Sequence, residues 1–257
     1  MLKTNEVYLG DCLEVMKDID DKSIDMILCD LPYGTTTCKW DVIIPFEPLW
    51  EQYKRIIKNK GAIVLFGTEP FSSYLRLSNI KWYKYDWVWD KVNPTGFQIS
   101  KYQPMRRIEN ICVFSSTATN YYPILEEAQE KNVRPKNSGT KQKTLDVAPI
   151  ASGISKSRHD YDIHKRLPSN VIIISKFSKE CNPIKKQRYH PTQKPVALFE
   201  YLIKTYTNEN DIVLDNCAGS GTTAIACLNT NRNYILIEKE PNYVDICKTR
   251  TKTATQQ

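Results

Sequence analysis

Long apolar runs, secretory signals and paired cysteines are all missing from this chain of 257 residues. A helix that crosses a bilayer needs about 20 apolar residues in succession, and no segment reaches that length. Residues 1–6 carry no signal-peptide pattern. We therefore expect a soluble, cytoplasmic protein that has no membrane partner.

The eight cysteines are scattered, and no two of them form a C-x-x-C pair. This spacing favours reduced cysteines that pack in the interior over disulfides or zinc ligands. His159 and His164 are five residues apart and have no further candidate ligands, so we assign no metal. The chain also has no G-x-G-x-x-G segment and no P-loop lysine, which disfavours the usual dinucleotide and nucleoside triphosphate loops.

Short apolar strands alternate with amphipathic helices along most of the chain. The pattern predicts strands at residues 7–9, 25–29, 62–66, 83–89, 110–114, 171–174, 212–214 and 234–237, and helices at 12–19, 46–58, 196–205, 222–228 and 243–249. Such alternation is typical of an α/β fold, a Rossmann-like, doubly wound and mostly parallel sheet with helices on both faces. In such sheets, ligands bind at the carboxyl ends of the strands near the topological switch point.

Two short segments follow predicted strands. Residues 30–34, Asp-Leu-Pro-Tyr-Gly, come after the strand at 25–29, and residues 215–223, Asp-Asn-Cys-Ala-Gly-Ser-Gly-Thr-Thr, lie between a strand and a helix. Small residues and glycines at such a junction let backbone N–H groups approach a ligand, and the helix start favours an anionic group. Taken alone, the first segment is equally consistent with an ordinary strand-ending turn.

Together the two segments resemble those of the β class of DNA amino-methyltransferases, which use S-adenosylmethionine. Residues 30–33 resemble the [D/N/S]-P-P-[Y/F] catalytic loop, and residues 215–223 resemble the D-x-F-A-G-S-G-T-T cofactor loop. Residues 190–195, His-Pro-Thr-Gln-Lys-Pro, resemble the segment that precedes the cofactor loop. The resemblance implies a circularly permuted methyltransferase fold, in which the catalytic loop comes first.

The resemblance also implies roles for the first loop. The exocyclic amine of adenine or cytosine is a weak nucleophile because its lone pair is delocalised into the ring. The carboxylate of Asp30 and the carbonyl of Leu31 would accept its two N–H groups. Pro32 would stiffen the loop, and Tyr33 would stack on a base that has been flipped out of the duplex. Leu31 replaces the first proline of the family pattern but still offers its carbonyl.

The second loop is the expected S-adenosylmethionine site. Its contacts would be Asp215, Cys217, Ala218, Gly219, Ser220, Gly221 and Thr222. Glu238 ends the next strand about 20 residues later, as an acid that binds ribose hydroxyls should, with a solvated acid as the alternative. The family usually has an aromatic residue where this chain has Cys217, so less area would pack near the cofactor.

Three further residues are expected at the cofactor. Asp11 follows the first strand and is the candidate contact to the cofactor's adenine. Thr192 is expected to cap a helix that begins at Pro195, and Lys194 to face the carboxylate of the ligand.

Positive charge is concentrated in the middle of the chain. Residues 131–189 contain 14 Lys and Arg against 4 Asp and Glu, whereas the whole chain has a net charge of only +7. Cations neutralise phosphates, so we expect a target-recognition insertion at 116–189 between a catalytic half at 1–115 and a cofactor half at 190–257. The expected DNA contacts are Arg106, Arg107, Lys185, Lys186 and Arg188. A solvated loop is the alternative for residues 131–157.

The resulting hypothesis is a site-specific methyltransferase that acts on N6 of adenine in double-stranded DNA. Asp30 favours adenine, because the cytosine-amine enzymes of the family more often have Ser there. An N4-cytosine enzyme, an RNA methyltransferase and an inactive DNA-binding protein with the same fold are the alternatives. Ring-carbon methylation is disfavoured because the chain has no Pro-Cys pair, and deamination because it has no H-x-E with a zinc-binding cysteine pair. The protein is expected to be a monomer or homodimer.

Overall fold

The computed structural model describes residues 2–35, 38, 41–127, 165–176, 189 and 193–255. These residues belong to two compact units, Met1–Tyr122 with Asn170–Gln257 and, separately, Pro123–Ser169. Four predicted site residues lie outside the described ranges: Lys185, Lys186, Arg188 and Thr192.

The described elements alternate between strand and helix as the sequence predicts. The strands are β1 (Glu6–Leu9), β2 (Ile24–Cys29), β3 (Ile57–Gly67), β4 (Tyr83–Thr95), β5 (Arg106–Phe114), β6 (Glu126–Glu127), β7 (Lys165–Arg166), β8 (Val171–Ile173), β9 (Ile212–Asp215) and β10 (Asn233–Glu238). The helices are α1 (Cys12–Val15), α2 (Phe46–Ile56), α3 (Phe71–Ser78), α4 (Val196–Tyr206), α5 (Thr222–Asn229) and α6 (Pro241–Thr255).

The first unit is built on one sheet, which within the described residues has eight strands in the order β1-β10-β9-β2-β3-β5-β4-β8. The run from β1 to β3 is parallel throughout, β5 is antiparallel to both β3 and β4, and β8 is parallel to β4. The predicted Rossmann-like, mostly parallel fold is confirmed.

Helices cover the sheet on both faces because side chains alternate along each strand. Successive residues of β2 belong to different apolar clusters, with Met26 and Leu28 in one cluster and Ile27 and Cys29 in the other. The first cluster contains the buried residues of α4, α5 and α6, and the second contains those of α1, α2 and α3. The two clusters lie on opposite faces of the sheet, so its central strands are covered on both faces, as expected for parallel strands.

The switch point of the sheet lies between β2 and β9. From β9 the order runs through β10 to β1, and from β2 it runs in the other direction to β3. The register pairs Ile27 with Leu214, so the residues that follow the two strands lie side by side at one edge. This topology brings together two segments that are about 190 residues apart in the sequence and places both at the expected ligand edge.

Some predicted boundaries were wrong. The helix predicted at 46–58 ends at Ile56, because β-branched Ile57 is extended and pairs with Ile24 in the sheet. The helix α3 was missed. The strand β5 begins at Arg106, so Arg106 and Arg107 are strand residues and not part of the connection between the paired strands.

The second unit contains the antiparallel pair β6 and β7, in which Arg166 forms an ion pair with Glu126 at 2.9 Å. In the part of the chain that the structure describes, no helix has the length and apolar character needed to cross a membrane.

Candidate active site

A cleft of about 470 Å³ opens at the carboxyl edge of the sheet. Most of the predicted site residues line it: Asp11, Asp30, Leu31, Pro32, Tyr33, Arg106, Lys194, Asp215, Cys217, Ala218, Gly219, Ser220, Thr222 and Glu238. The cleft therefore brings the two predicted loops together in a single site.

The loop after β9 is held in shape by its own hydrogen bonds. Gly219 and Gly221 have φ angles of 52° and 76°, in the left-handed region that favours glycine. Asp215 accepts from the backbone N–H of Cys217 at 3.1 Å and from the hydroxyl of Thr223. Burial raises the pKa of Asp215 to about 6, although these bonds oppose the shift. Asp215 therefore shapes the loop.

Helix α6 supports the same loop from behind. The Cys247 thiol donates to the carbonyl of Gly219 at 3.1 Å, and the Arg250 guanidinium donates to the carbonyl and, at 3.1 Å, to the hydroxyl of Ser220. A Cβ on Gly221 would lie 2.9 Å from the Cys247 sulfur, so this position has no room for a side chain. Neither Cys247 nor Arg250 was predicted as part of the site.

Glu238 and Asp11 lie on adjacent strand ends. In Glu238, Oε2 accepts from the N–H of Gly219 at 2.7 Å and Oε1 from that of Glu240 at 2.9 Å, while burial raises its pKa. Asp11 caps α1 by accepting from the N–H of Leu13 at 2.9 Å. Both carboxylates line the cleft, and Glu238 is fixed against the glycine loop.

The loop after β2 presents Asp30 and Tyr33. The Tyr33 hydroxyl donates to Asp30 Oδ1 at 2.6 Å, and its ring packs on Phe71 with the centroids 4.9 Å apart. Leu31 is buried in the core beneath the loop. Asp41 folds the following residues back by accepting from the N–H groups of residues 34 and 35, each at 2.9 Å. These contacts fix the loop where it meets the cleft.

Lys194 binds carboxylates of the protein itself. Its ammonium lies 2.6 Å from Asp30 Oδ2 and 2.9 Å from Glu109 Oε1, and its side chain is 9% exposed. Glu109 also accepts from the Tyr33 hydroxyl at 3.2 Å, and its other oxygen lies 3.8 Å from the ammonium of Lys91. The structure therefore places Lys194 beside the loop after β2 and pairs its charge with Asp30 and Glu109. The contact to a ligand carboxylate expected of it stays a prediction.

The pKa values within this cluster reflect burial and the shared ammonium. Burial raises the pKa of Asp30, and Lys194 opposes that shift. For Glu109, burial is outweighed by Lys194 and Lys91, and its pKa is lowered. Burial alone would lower the pKa of Lys194, but the two carboxylates together raise it. The arrangement favours a charged Lys194 and an ionised Glu109.

Cys217 lies among other thiols. Its thiol interacts with those of Cys12 and Cys29, and the pKa of each of the three thiols is raised. The contact with Cys217 and burial raise the pKa of Cys12, and burial raises that of Cys29 to about 12 although its contact with Cys217 opposes the shift. For Cys217, the contact with Cys12 lowers the pKa, but the contact with Cys29 and burial outweigh it. The neighbouring Asn216 accepts from the buried Tyr53 hydroxyl at 2.6 Å, which connects α2 to the loop after β9. Neutral thiols in this wall are packing groups and not nucleophiles.

The remaining predicted residues are less engaged with the cleft. Arg106 lines it, whereas Arg107 is exposed and pairs with Asp90 at 2.7 Å. Helix α4 begins at Val196, one residue after the expected start at Pro195, which is its N-cap. The expected capping residue, Thr192, lies outside the described residues, so its role stays a prediction. Within the described residues, no group of three or more His, Cys, Asp or Glu is arranged to hold a metal ion.

Sequence reasoning missed Glu109, Lys91, Asp41, Cys247 and Arg250, because they belong to no motif and reach the site through tertiary contacts. One signal was present for Glu109. In β5 it shares the period of two with Ile111 and Val113, so it lies on a buried face where an unpaired acid would be costly.

The comparisons agree with this geometry. A family model described as DNA methylase matches residues 24–249. The DNA adenine methyltransferase YhdJ of Escherichia coli (strain K12) is 28% identical, over 96% of this chain and 82% of that protein. The crystal structure of an M1.HpyAVI–SAM complex is 26% identical, with a TM-score of 0.61 over 95% of this chain and 98% of that one. The cytosine-N4-specific PvuII DNA methyltransferase is 16% identical, with a TM-score of 0.64 over 100% of this chain and 92% of that one, and so shares the fold.

Proposed function

The chain belongs to the S-adenosylmethionine-dependent DNA methylase family of N6-adenine and N4-cytosine enzymes, and on that premise we propose that it methylates N6 of adenine in duplex DNA. The main support for the proposal is that Asp30 and the glycine loop line the same cleft, because they follow the adjacent parallel strands β2 and β9.

The residues present fit S-adenosylmethionine. The cleft volume of about 470 Å³ lies within the roughly 300–1,000 Å³ that small-molecule sites occupy. We assign the ribose hydroxyls to Glu238, which is already anchored by two backbone N–H groups and retains lone pairs for further donors. The start of α5, where Gly221 precedes Thr222, would bind the ligand carboxylate through backbone N–H groups and the helix dipole.

When bound, S-adenosylmethionine would supply an electrophilic methyl group to the amine nitrogen and would leave as a neutral thioether, so the methylated nitrogen would have one surplus proton to lose. Asp30 prepares the amine by accepting one N–H, which draws the nitrogen lone pair out of the ring. Its carboxylate then accepts the surplus proton and passes it to water. The Leu31 carbonyl accepts the second N–H. No covalent step at a cysteine is needed.

Adenine is favoured over cytosine by two observations. The acceptor at position 30 is a carboxylate and not a hydroxyl, and YhdJ, which is similar over 96% of this chain, is a DNA adenine methyltransferase. Because the family also contains N4-cytosine enzymes, N4-cytosine methylation is the second candidate. It would use the same loop and the same cofactor.

Duplex DNA is the proposed partner, in the cytoplasm. We assign phosphate contacts to Arg106 at the cleft and to the basic segment of residues 131–189, including Lys185, Lys186 and Arg188. Tyr33 would stack on the flipped base. The paired Asp30 and Tyr33 speak against an inactive DNA-binding protein, since such a protein needs neither group.

The test is nucleoside mass spectrometry. Unmethylated duplex DNA is incubated with the protein and S-adenosylmethionine, digested to nucleosides and compared with a matched RNA reaction. We expect N6-methyladenine in the DNA sample. Finding 4-methylcytosine would reassign the base within the family, and modification of RNA alone would reject the proposed substrate.

A further inference from the structure

An acid outside both motifs is built into the wall of the cleft beside the catalytic loop. Glu109 is carried by β5, which is antiparallel to β3, so the start of β5 lies at the same edge as the end of β2. Lys91 reaches this edge from β4, in which Trp89 pairs with Glu109. Two strands and two loops thus bring Asp30, Lys91, Glu109 and Lys194 to one place.

We propose that Glu109 is a positioning residue for the methyl-accepting site, acting through Lys194, which it shares with Asp30 so that Asp30 is fixed in place but not neutralised by a one-to-one ion pair. This inference rests on the proposed function and extends it to a residue that neither loop contains.

The geometry supports sharing of the ammonium. Lys194 lies at 2.6 Å from Asp30 and 2.9 Å from Glu109, which are both charge-assisted hydrogen-bond distances. The Tyr33 hydroxyl also contacts both carboxylates, at 2.6 Å and 3.2 Å. The ammonium therefore bridges the two acids, whereas the single hydroxyl proton of Tyr33 is directed mainly at the nearer acid, Asp30. The position of Asp30 thus depends on Glu109 chiefly through Lys194.

A purely structural ion pair explains this cluster less well. The side chains of Lys91, Glu109 and Lys194 are only 7%, 8% and 9% exposed, and removing charges from water carries a desolvation cost that a core would avoid with apolar residues. Yet Asp30, Tyr33, Lys91, Glu109 and Lys194 all line the cleft. Buried charges grouped at a ligand cleft are typical of a functional site.

The physical role follows from what Asp30 must do. An ionised Asp30 accepts an N–H strongly, but an acid locked to a dedicated ammonium is a weaker base and a less available acceptor. The negative charge of Glu109 attracts the Lys194 ammonium and offsets part of the positive potential that Lys194 exerts at Asp30. Lys91, 3.8 Å from the second oxygen of Glu109, balances the cluster so that Glu109 itself remains ionised.

The test compares Glu109→Gln with wild type in three measurements: cofactor binding by calorimetry, methyl transfer to unmethylated duplex DNA with enzyme in excess, and the pH dependence of that transfer. The substitution keeps the side-chain size and removes the charge. We expect unchanged cofactor affinity and a transfer rate lower by roughly ten- to a hundredfold, as for a misplaced catalytic group.

The pH profile separates positioning from structural support. Glu109 raises the pKa values of both Asp30 and Lys194, so its neutralisation should move the acidic and the alkaline limbs of the profile to lower pH. A transfer rate and profile equal to those of wild type would overturn the inference, and so would a lower rate with unmoved limbs. If wild type transfers no methyl group to DNA, the proposed function itself fails.

Two further variants control for folding. Asp86→Asn breaks a comparable ion pair on β4, 2.7 Å from Arg76 and away from the cleft lining, and should leave the rate and the profile as in wild type. Glu109→Asp retains the charge and should restore the position of both limbs, with a rate between those of wild type and Glu109→Gln. If Glu109→Gln does not fold, a Glu109→Asp protein whose limbs shift despite its intact charge would overturn the inference.

Discussion

Replacing Asp30 with Asn should separate chemistry from cofactor binding. Asn matches Asp in size, but its amide nitrogen cannot accept a hydrogen bond, so one of the contacts at 2.6 Å from Tyr33 and Lys194 is lost together with the negative charge. Loss of a positioned acid–base group typically costs about 10² to 10⁴ in rate, which is roughly 3 to 5.5 kcal/mol of transition-state stabilisation. The glycine loop keeps its own bonds to Glu238 and Arg250, so cofactor affinity should stay within a few-fold of wild type.

The assay measures methyl transfer at saturating S-adenosylmethionine and, separately, cofactor binding by calorimetry. Glu238→Gln is the matched comparison, because it removes one carboxylate from the other end of the same cleft. It should weaken cofactor binding while leaving the rate at saturation close to that of wild type. The reasoning is refuted if folded Asp30→Asn protein loses cofactor binding, or if it transfers methyl groups as fast as wild type.

Three further predictions concern other parts of the molecule. Arg250→Met removes the charged donor by which α6 binds Ser220 in the cofactor loop, and it should weaken cofactor binding about tenfold in calorimetry. An unchanged affinity would mean that α6 does not support the loop. Cys217→Ala should remain active in the methyl-transfer assay, because the proposed transfer needs no covalent step and the raised pKa of this thiol favours its neutral form; loss of activity in a folded protein would argue for a nucleophilic role. Replacing Lys185, Lys186 and Arg188 together with Gln should reduce the slope of log binding constant against log salt concentration by roughly 2 to 3 units, without changing cofactor affinity. An unchanged slope would mean that the DNA binds to another surface.

The central strands of the fold could be predicted because burial on both faces requires continuous apolar runs. Residues 26–29 and 212–214 are such runs, and β2 and β9 form there as the core of the sheet. The ends of elements were harder to predict, because they depend on partners. Ile57, which was predicted to be helical, is extended and pairs with Ile24, and no local pattern specifies that contact.

The candidate site was predictable where a motif follows a strand, and not where a side chain arrives from elsewhere. The two loops converge because their strands are neighbours at the switch point. The strand–helix alternation predicted a ligand edge at such a point, and the family resemblance predicted that both loops serve one site. Lys194 was identified as a site residue, but its contacts with Asp30, 164 residues away, and with Glu109 depend on tertiary packing. Arg250 reaches Ser220 from α6, and no local sequence pattern specifies that contact.

The most direct test of the account is to trace the methyl group. Duplex DNA is incubated with wild-type protein and S-adenosylmethionine carrying a trideuterated methyl group, and the labelled nucleosides are identified by mass spectrometry. The account predicts the label on an exocyclic amino nitrogen, that of adenine, and none in an Asp30→Asn reaction. Label on the ring carbon of cytosine, or tight cofactor binding with no label in DNA, would contradict it.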